Sequence, residues 1–238
     1  MKTAFITGVS RELGLGTALV RRYLGEGWTV FAASRNIDGE HLPALKQEWG
    51  DKFEVVALDV SDIKSVRAAA DVIREKIGNF DVLISNATAT NGDGNLPIDE
   101  GMDLEHMLNA YDVNAVGFLR MVQTFLPLCN EKAVLAAITS EQGSMGHCWR
   151  DSGADYGMAK AALNYACVVT QRRLGERGLR VLAIHPGWVQ TRPAPPKADL
   201  TPEESADYIF KTIANPPPYV DKGNKGVYVN YDGTEFPF

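Results

Sequence analysis

The chain has 238 residues, 45% of them hydrophobic and 23% charged, with a formal net charge of −6 at pH 7. That length supports one sizeable buried core, and the charge balance argues against a nucleic-acid or anionic-membrane surface. No apolar run approaches the ~20 residues that a membrane-spanning helix needs. The N-terminal residues lack the long apolar stretch of a leader and read as a first strand. Cys129, Cys148 and Cys167 are widely spaced, with no Cys-x-x-Cys or Cys/His metal spacing. Reduced thiols, no bound metal and a cytoplasmic setting are therefore expected.

Thr3–Thr7 is the first short strand-like run, and it leads into Thr7-Gly8-Val9-Ser10-Arg11-Glu12-Leu13-Gly14-Leu15-Gly16. A helix is expected at once over residues 15–26. Glycines there allow a tight turn and close packing, while the helix N-terminus offers free amides and a positive dipole to a pyrophosphate. Flanked by strand and helix, this turn points to a dinucleotide. Further strands are expected at residues 29–33, 53–58, 81–85, 133–139, 180–185 and 226–230. Helices are expected between them near 39–49, 62–77, 103–127, 153–177 and 202–214. Thr201-Pro202-Glu203-Glu204 gives the last helix a capping hydroxyl, a proline at its first position and a glutamate at its third. Near-continuous apolar strands alternating with helices predict one α/β domain over residues 1–238. Its architecture is a Rossmann-like doubly wound parallel sheet of about seven strands, with helices on both faces.

Within the helix near 153–177, Tyr156 and Lys160 are four residues apart. They therefore share one face, roughly 6 Å apart along the axis. An ammonium held beside a phenol favours the phenolate, pulling a pKa that starts at about 10 toward the working pH. Such a phenol exchanges a proton with a carbonyl or alcohol oxygen. A serine-hydrolase reading fails, because the chain has no Gly-x-Ser-x-Gly elbow. His185, next to Pro186 at a strand end, reads as a structural imidazole.

In chain order, Thr7, Gly8 and Gly14, then Asp59-Val60, Ser85-Asn86-Ala87-Thr88, Asn114, Ser140 and Tyr156-x-x-x-Lys160 form a motif series. It closes with Pro186-Gly187-Trp188-Val189-Gln190-Thr191. Over nearly the whole chain this series resembles the short-chain dehydrogenase/reductase family. The segment His185–Thr191 and the ending Asp232–Pro237 are similar to its C-factor and sniffer-type carbonyl reductases.

The resemblance implies that Tyr156 is general acid in reduction and general base in oxidation. Lys160 would lower its pKa and meet the nicotinamide ribose. Ser140 would orient the substrate oxygen, with Ser144 a nearby competitor for that role. Asn114 would bend its helix and hold a water linking Lys160 to solvent. The cofactor would meet Gly8, Ser10, Arg11, Glu12, Leu13 and Gly14 at the turn, and Asp59 and Val60 at the adenine. Asn86, Ala87, Tyr156, Lys160, Pro186 and Gly187 would complete its site, with Val189 and Thr191 at the carboxamide.

Two residues depart from the family pattern. Glu12 replaces the middle glycine, and a carboxylate ~5 Å from a phosphate costs roughly 1–3 kcal/mol unless it turns to solvent. Thr88 replaces the last glycine of the strand-four motif and adds bulk beside the expected ribose. The second strand ends Ala32-Ala33-Ser34-Arg35-Asn36, with no acid for a ribose 2′-hydroxyl. Arg11 and Arg35 occupy positions the family uses for a 2′-phosphate, so NADP(H) is expected over NAD(H). Met145, His147, Cys148 and Trp149, with Trp188 and Pro193–Pro196, are expected to form an open mouth for an apolar carbonyl compound.

These readings converge on an NADPH-dependent reductase of ketones, aldehydes or quinones, reversibly an alcohol dehydrogenase. The alternative is a nucleotide-binding signalling protein of C-factor type with little or no turnover. The expected partner is a small molecule, with neither nucleic acid nor membrane. A homodimer through the helices near 103–127 and 153–177 is also expected, with Ala159, Ala162 and Ala166 allowing close helix pairing.

Overall fold

The computed structural model describes residues 2–39, 41–89, 96–190 and 198–238. Its strands are Thr3–Thr7 (β1), Thr29–Ser34 (β2), Phe53–Ala57 (β3), Phe80–Ser85 (β4), Cys129–Ile138 (β5), Arg180–His185 (β6) and Tyr228–Asn230 (β7). They pair in parallel in the order β3-β2-β1-β4-β5-β6-β7. The chain builds outward from β1 to β3, then returns to place β4 on the other side of β1. That reversal opens a crevice at the carboxyl ends of β1 and β4, the usual ligand site of such sheets.

The helices are Leu15–Gly25 (α1), His41–Trp49 (α2), Ile63–Lys76 (α3), Leu104–Tyr111 (α4), Gly117–Phe125 (α5), Ala154–Gly175 (α6) and Pro202–Ala214 (α7). Because strand side chains alternate, each buried strand feeds two core layers. Phe5 packs with Phe31, Phe80 and Phe125 on the side of α3, α5 and α6. Ala4 and Ile6 join Leu19, Tyr23 and Ile209 on the side of α1 and α7. The Phe5 and Phe125 rings lie 4.8 Å apart, and burying each such side chain contributes about 1.5–3 kcal/mol. Among the described residues, no helix is long and apolar enough to cross a membrane, and no His/Cys/Asp/Glu group is placed to hold a metal ion.

Three elements differ from the sequence expectation. β5 begins at Cys129, not near 133, because Phe80 pairs with Cys129 before the register shifts and Val82 pairs with Val134. Lys132, at φ 67°, lies within that irregularity. β7 starts at Tyr228, since Gly226 is a turn residue at φ +75° whose added Cβ would lie 2.3 Å from the Pro218 carbonyl oxygen. The single helix expected over 103–127 is interrupted by a π turn at Asp112–Val116. By contrast α7 begins where its signals place it, with Thr201 and Glu204 closing a reciprocal capping box.

Candidate active site

The nucleotide end is built by a clamp across the β1/β4 crevice. The Thr7 hydroxyl accepts from the amides of Asn86 and Ala87 at 3.0 and 3.1 Å. The Asn86 side chain donates back to the carbonyls of Thr7 and Gly8, both at 3.0 Å. Asn86 thereby braces the turn. Gly8 has φ +77°, and a Cβ there would lie 2.7 Å from the Ala87 nitrogen, so only glycine fits. α1 then opens behind Gly14 with no side-chain cap, which leaves its N-terminus to an anion.

Ser10, Arg11, Glu12 and Leu13 are exposed around that helix end, as is Arg35 beyond β2. Exposure is the less costly placement for the Glu12 charge. Burial pushes the Asp59 carboxyl up, but hydrogen bonds from Ser61 at 2.6 and 2.9 Å, with Arg35 and Arg120 nearby, hold it below its ordinary range. Val60 is buried against Gly117. Across the crevice, Gly187 takes φ +82° beneath Leu200, Val189 bridges to Leu200, and the Pro186 carbonyl accepts from Ser205 at 2.7 Å. Thr191 and Pro193–Pro196 lie outside the described residues. An uncapped helix end, a close-packed glycine turn and exposed guanidinium groups beside it fit a phosphorylated dinucleotide.

The second half of the site gathers Asn114, Ser140, Tyr156 and Lys160 from three elements. Asn114 sits in the π turn, where its side chain donates to the carbonyls of Ala110 and Ala89 at 2.8 and 2.9 Å. Its Oδ1 accepts from the Thr88 hydroxyl at 2.7 Å, so the unexpected threonine is tied to this asparagine. Ser140 follows the end of β5, and α6 carries Tyr156 and Lys160 beside it. The Lys160 Nζ lies 5.3 Å from the Tyr156 ring centroid and donates to the Ile138 carbonyl at 2.9 Å. Ser144 is no competitor for Ser140, because its hydroxyl donates to the Pro237 carbonyl at 2.6 Å and accepts from the His147 amide.

The ionisation of the pair corrects the sequence expectation. Burial pushes the Tyr156 phenol up to about 12, with the Glu141 carboxylate acting in the same direction and the Ser140 and Thr88 hydroxyls opposing. Burial likewise pulls Lys160 down to about 7. Lys160 gives its hydrogen bond to the Ile138 carbonyl and not to the phenol, so in the protein alone burial dominates the phenol's ionisation. Desolvation disfavours both charged forms. The protein alone therefore holds Tyr156 protonated, the state that gives a proton to a carbonyl oxygen.

Several neighbours escaped the sequence reading. The Tyr228 hydroxyl donates to the Ser140 carbonyl at 2.7 Å and fixes the strand end from β7. Glu141 receives hydrogen bonds from Ser140 and from Arg150, each at 2.8 Å. Only the adjacency of Glu141 to Ser140 was visible beforehand. His185 is structural as expected, its Nδ1 accepting from the Glu141 amide at 3.2 Å. Met145, Cys148 and Trp149 line a cavity of about 340 Å³ with Met102 and Met158, and Glu141 forms its wall next to Ser140. Trp188 is not among its walls.

Comparison with known proteins agrees with this geometry. A family profile described as enoyl-(acyl carrier protein) reductase matches residues 8–213. An uncharacterised oxidoreductase of Schizosaccharomyces pombe is 31% identical over all of this chain and 98% of its own length. The NADPH-bound carbonyl reductase from chicken fatty liver superposes with a TM-score of 0.85 at 27% identity, covering 100% of this chain and 99% of its own. The carbonyl reductase Sniffer of Drosophila melanogaster, at 24% identity and full coverage of both chains, shares the fold with a TM-score of 0.87.

Proposed function

This chain belongs to the short-chain dehydrogenase/reductase family of NAD(P)-dependent oxidoreductases, and from that premise we propose that it reduces a ketone, aldehyde or quinone with NADPH. The observation that carries the proposal is a partly buried Tyr156 beside Ser140 and Lys160, on the sheet edge that also holds the uncapped α1. NADPH, when bound, supplies the hydride. Gly8, Ser10, Arg11, Glu12, Leu13 and Gly14 hold its pyrophosphate end, and Asp59 with Val60 its adenine. Asn86, Ala87, Lys160, Pro186, Gly187, Val189 and Thr191 hold its nicotinamide half. Tyr156 gives its proton to the substrate oxygen, and Ser140 positions that oxygen. Asn114 supports the π turn of its own helix by donating to the Ala110 carbonyl, with Thr88 fixing the orientation of its amide.

Consumption of NADPH and of NADH with a panel of ketones, aldehydes and quinones tests the reading. Carbonyl-dependent oxidation of NADPH supports it. Tight NADPH binding with every carbonyl untouched sinks it and favours a nucleotide-dependent signalling role. Cofactor choice rests on Arg11 and Arg35, both exposed beside the turn with no acid ending β2. Arg11→Ala with Arg35→Ala should weaken NADPH about tenfold to a hundredfold and leave NADH nearly unchanged, as loss of charge-assisted phosphate contacts requires. Equal weakening of both cofactors in a titration would reject that assignment.

Self-association is a second part of the proposal, through the two expected helical segments but by other side chains than the expected alanines. Ala159 and Ala166 are buried within the subunit and offer nothing to a partner. Leu104, Leu108 and Tyr111 on α4, and Met158, Tyr165 and Val169 on α6, instead present exposed apolar side chains at helical spacing. A second copy placed by a two-fold axis would cover the same residues on both subunits. Light scattering should give a dimer mass at micromolar concentration, and Tyr165→Glu with Leu108→Glu should return a monomer.

A further inference from the structure

The cavity beside Ser140 has one wall that neither sheet nor helix builds. Met145, Cys148 and Trp149 come from the loop between β5 and α6, and Met102 and Met158 complete the enclosure. The loop is fastened at its start, where the Gly143 amide donates to the Ser140 carbonyl at 3.0 Å and Asn164 donates to the Gly143 carbonyl at 3.1 Å. It is fastened at its end by Arg150 on Glu141. Between those points, among the described residues, its hydrogen bonds to the rest of the chain go to Phe236–Phe238. The buried Ser144 hydroxyl donates to the Pro237 carbonyl at 2.6 Å, and the Gly146 amide donates to the main-chain oxygen of Phe238 at 2.8 Å. A Cβ on Gly146 would lie 2.8 Å from that same oxygen, so the approach needs glycine.

The segment Phe236–Phe238 is itself anchored to the sheet. The Phe236 amide donates to the Tyr228 carbonyl at 3.0 Å, and Val229 bridges to Glu235. The Phe236 ring lies 5.1 Å from Tyr228, 5.3 Å from His185 and 5.4 Å from His147, and so joins β7, β6 and the loop. Phe236, Pro237 and Phe238 are not walls of the cavity, so they act on it through the loop. Met145 and Trp149 are 80% and 71% exposed, and their own packing does little to hold them. A segment with so few buried contacts opens locally at little cost unless hydrogen bonds restrain it.

We propose that Phe236–Phe238 is a positioning strut that sets substrate specificity. It holds Met145 and Trp149 as the far wall of a site for uncharged carbonyl compounds bearing an aromatic or similarly broad apolar group. This rests on the reading of the chain as a carbonyl reductase. A small carbonyl is held at Ser140 and Tyr156 and does not reach the loop. A broad apolar group does reach it, and gains from burial against the thioethers and the indole. Arg150, the guanidinium on the wall, is already paired with Glu141 at 2.8 Å, which leaves an anionic substrate without that partner. Releasing the strut loosens the large substrate in ground state and transition state alike, and leaves the proton donor where it is.

Two matched diones, 1-phenyl-1,2-propanedione and 2,3-butanedione, differ by a ring in place of a methyl group and test the proposal with NADPH. Gly146→Ala forces the loop away from Phe238, and Gly146 is not itself a wall of the cavity. The variant should raise KM for the phenyl dione about tenfold with kcat within roughly twofold, and leave both constants for butanedione within roughly twofold. A merely structural role would lower kcat for both diones together. Equal losses, or an unchanged KM for the phenyl dione, overturn the proposal. Hydrogen exchange followed by NMR in the free protein reads the strut without turnover. The Gly146 amide, bonded to Phe238 and not to Ser144, should exchange at least about tenfold faster in Ser144→Ala. Unaltered exchange overturns the strut, and this arm decides if Gly146→Ala does not fold. If neither dione is reduced, the reductase reading fails by itself, and the calorimetric Kd of the NADP-loaded protein for the phenyl dione takes the place of KM. No binding of that dione overturns the specificity proposal as well.

Discussion

Tyr156→Phe should lower kcat for NADPH-driven carbonyl reduction by about 10³-fold, the usual worth of a positioned proton donor. The substitution removes one oxygen from a partly buried ring, and so keeps the packing of α6 while deleting the group that holds the proton. NADPH affinity should stay within roughly twofold, because a change confined to the transition state lowers kcat without loosening the ground state. The pH dependence follows from the same proton. Burial holds the phenol up to about 12 in the protein alone, so reduction should persist through neutral pH and fall only as pH rises through the phenol's pKa. Alcohol oxidation needs the deprotonated form and should rise through the same value. Stopped-flow rates and a fluorescence titration of NADPH check both parts. Unchanged reduction by Tyr156→Phe would remove the basis of the proposed function.

Gly16→Ala should cost about 1–3 kcal/mol of stability, read as a fall of several degrees in Tm, and weaken cofactor binding at least about tenfold. The reason is contact at the start of α1. A Cβ on Gly16 would lie 2.4 Å from the Gly8 carbonyl oxygen and 2.7 Å from Asn86 Nδ2. The first neighbour is backbone and the second is the amide that clamps β1 to β4, so neither yields without moving the turn. Alanine is ordinarily the better helix residue by about 1 kcal/mol, so a stabilised variant would show the turn to be looser than these distances require. Calorimetry and NADPH titration on one preparation separate loss of fold from loss of the phosphate cradle. Phosphate binding at a helix end depends on the placement of its amides, and a shift of the turn misplaces them.

Much of the architecture was readable from local signals. The bounds of β1, β6 and α7 follow from short apolar runs and from the Thr201–Glu204 capping box, each set by a few adjacent residues. The start of β5 was not readable, because its bulge exists only in the pairing with β4. The π turn at Asn114 was anticipated as a bend through family resemblance, and not from any periodicity. Ala159 and Ala166 show the opposite limit: small size is compatible both with a helix interface and with burial inside the subunit, and only packing separates them.

The amino-acid sequence alone determined the strand and helix order, the glycine turn that opens α1, and the placing of Tyr156 and Lys160 four residues apart. Periodicity, capping and backbone freedom act over a few neighbouring residues, so no tertiary knowledge is needed to see them. Tertiary structure decided the direction in which burial shifts Tyr156 and Lys160, the tether between Thr88 and Asn114, and the hydrogen bond from Ser140 to Glu141. Those depend on desolvation and on hydrogen-bond geometry among groups distant in the chain, which no local pattern encodes.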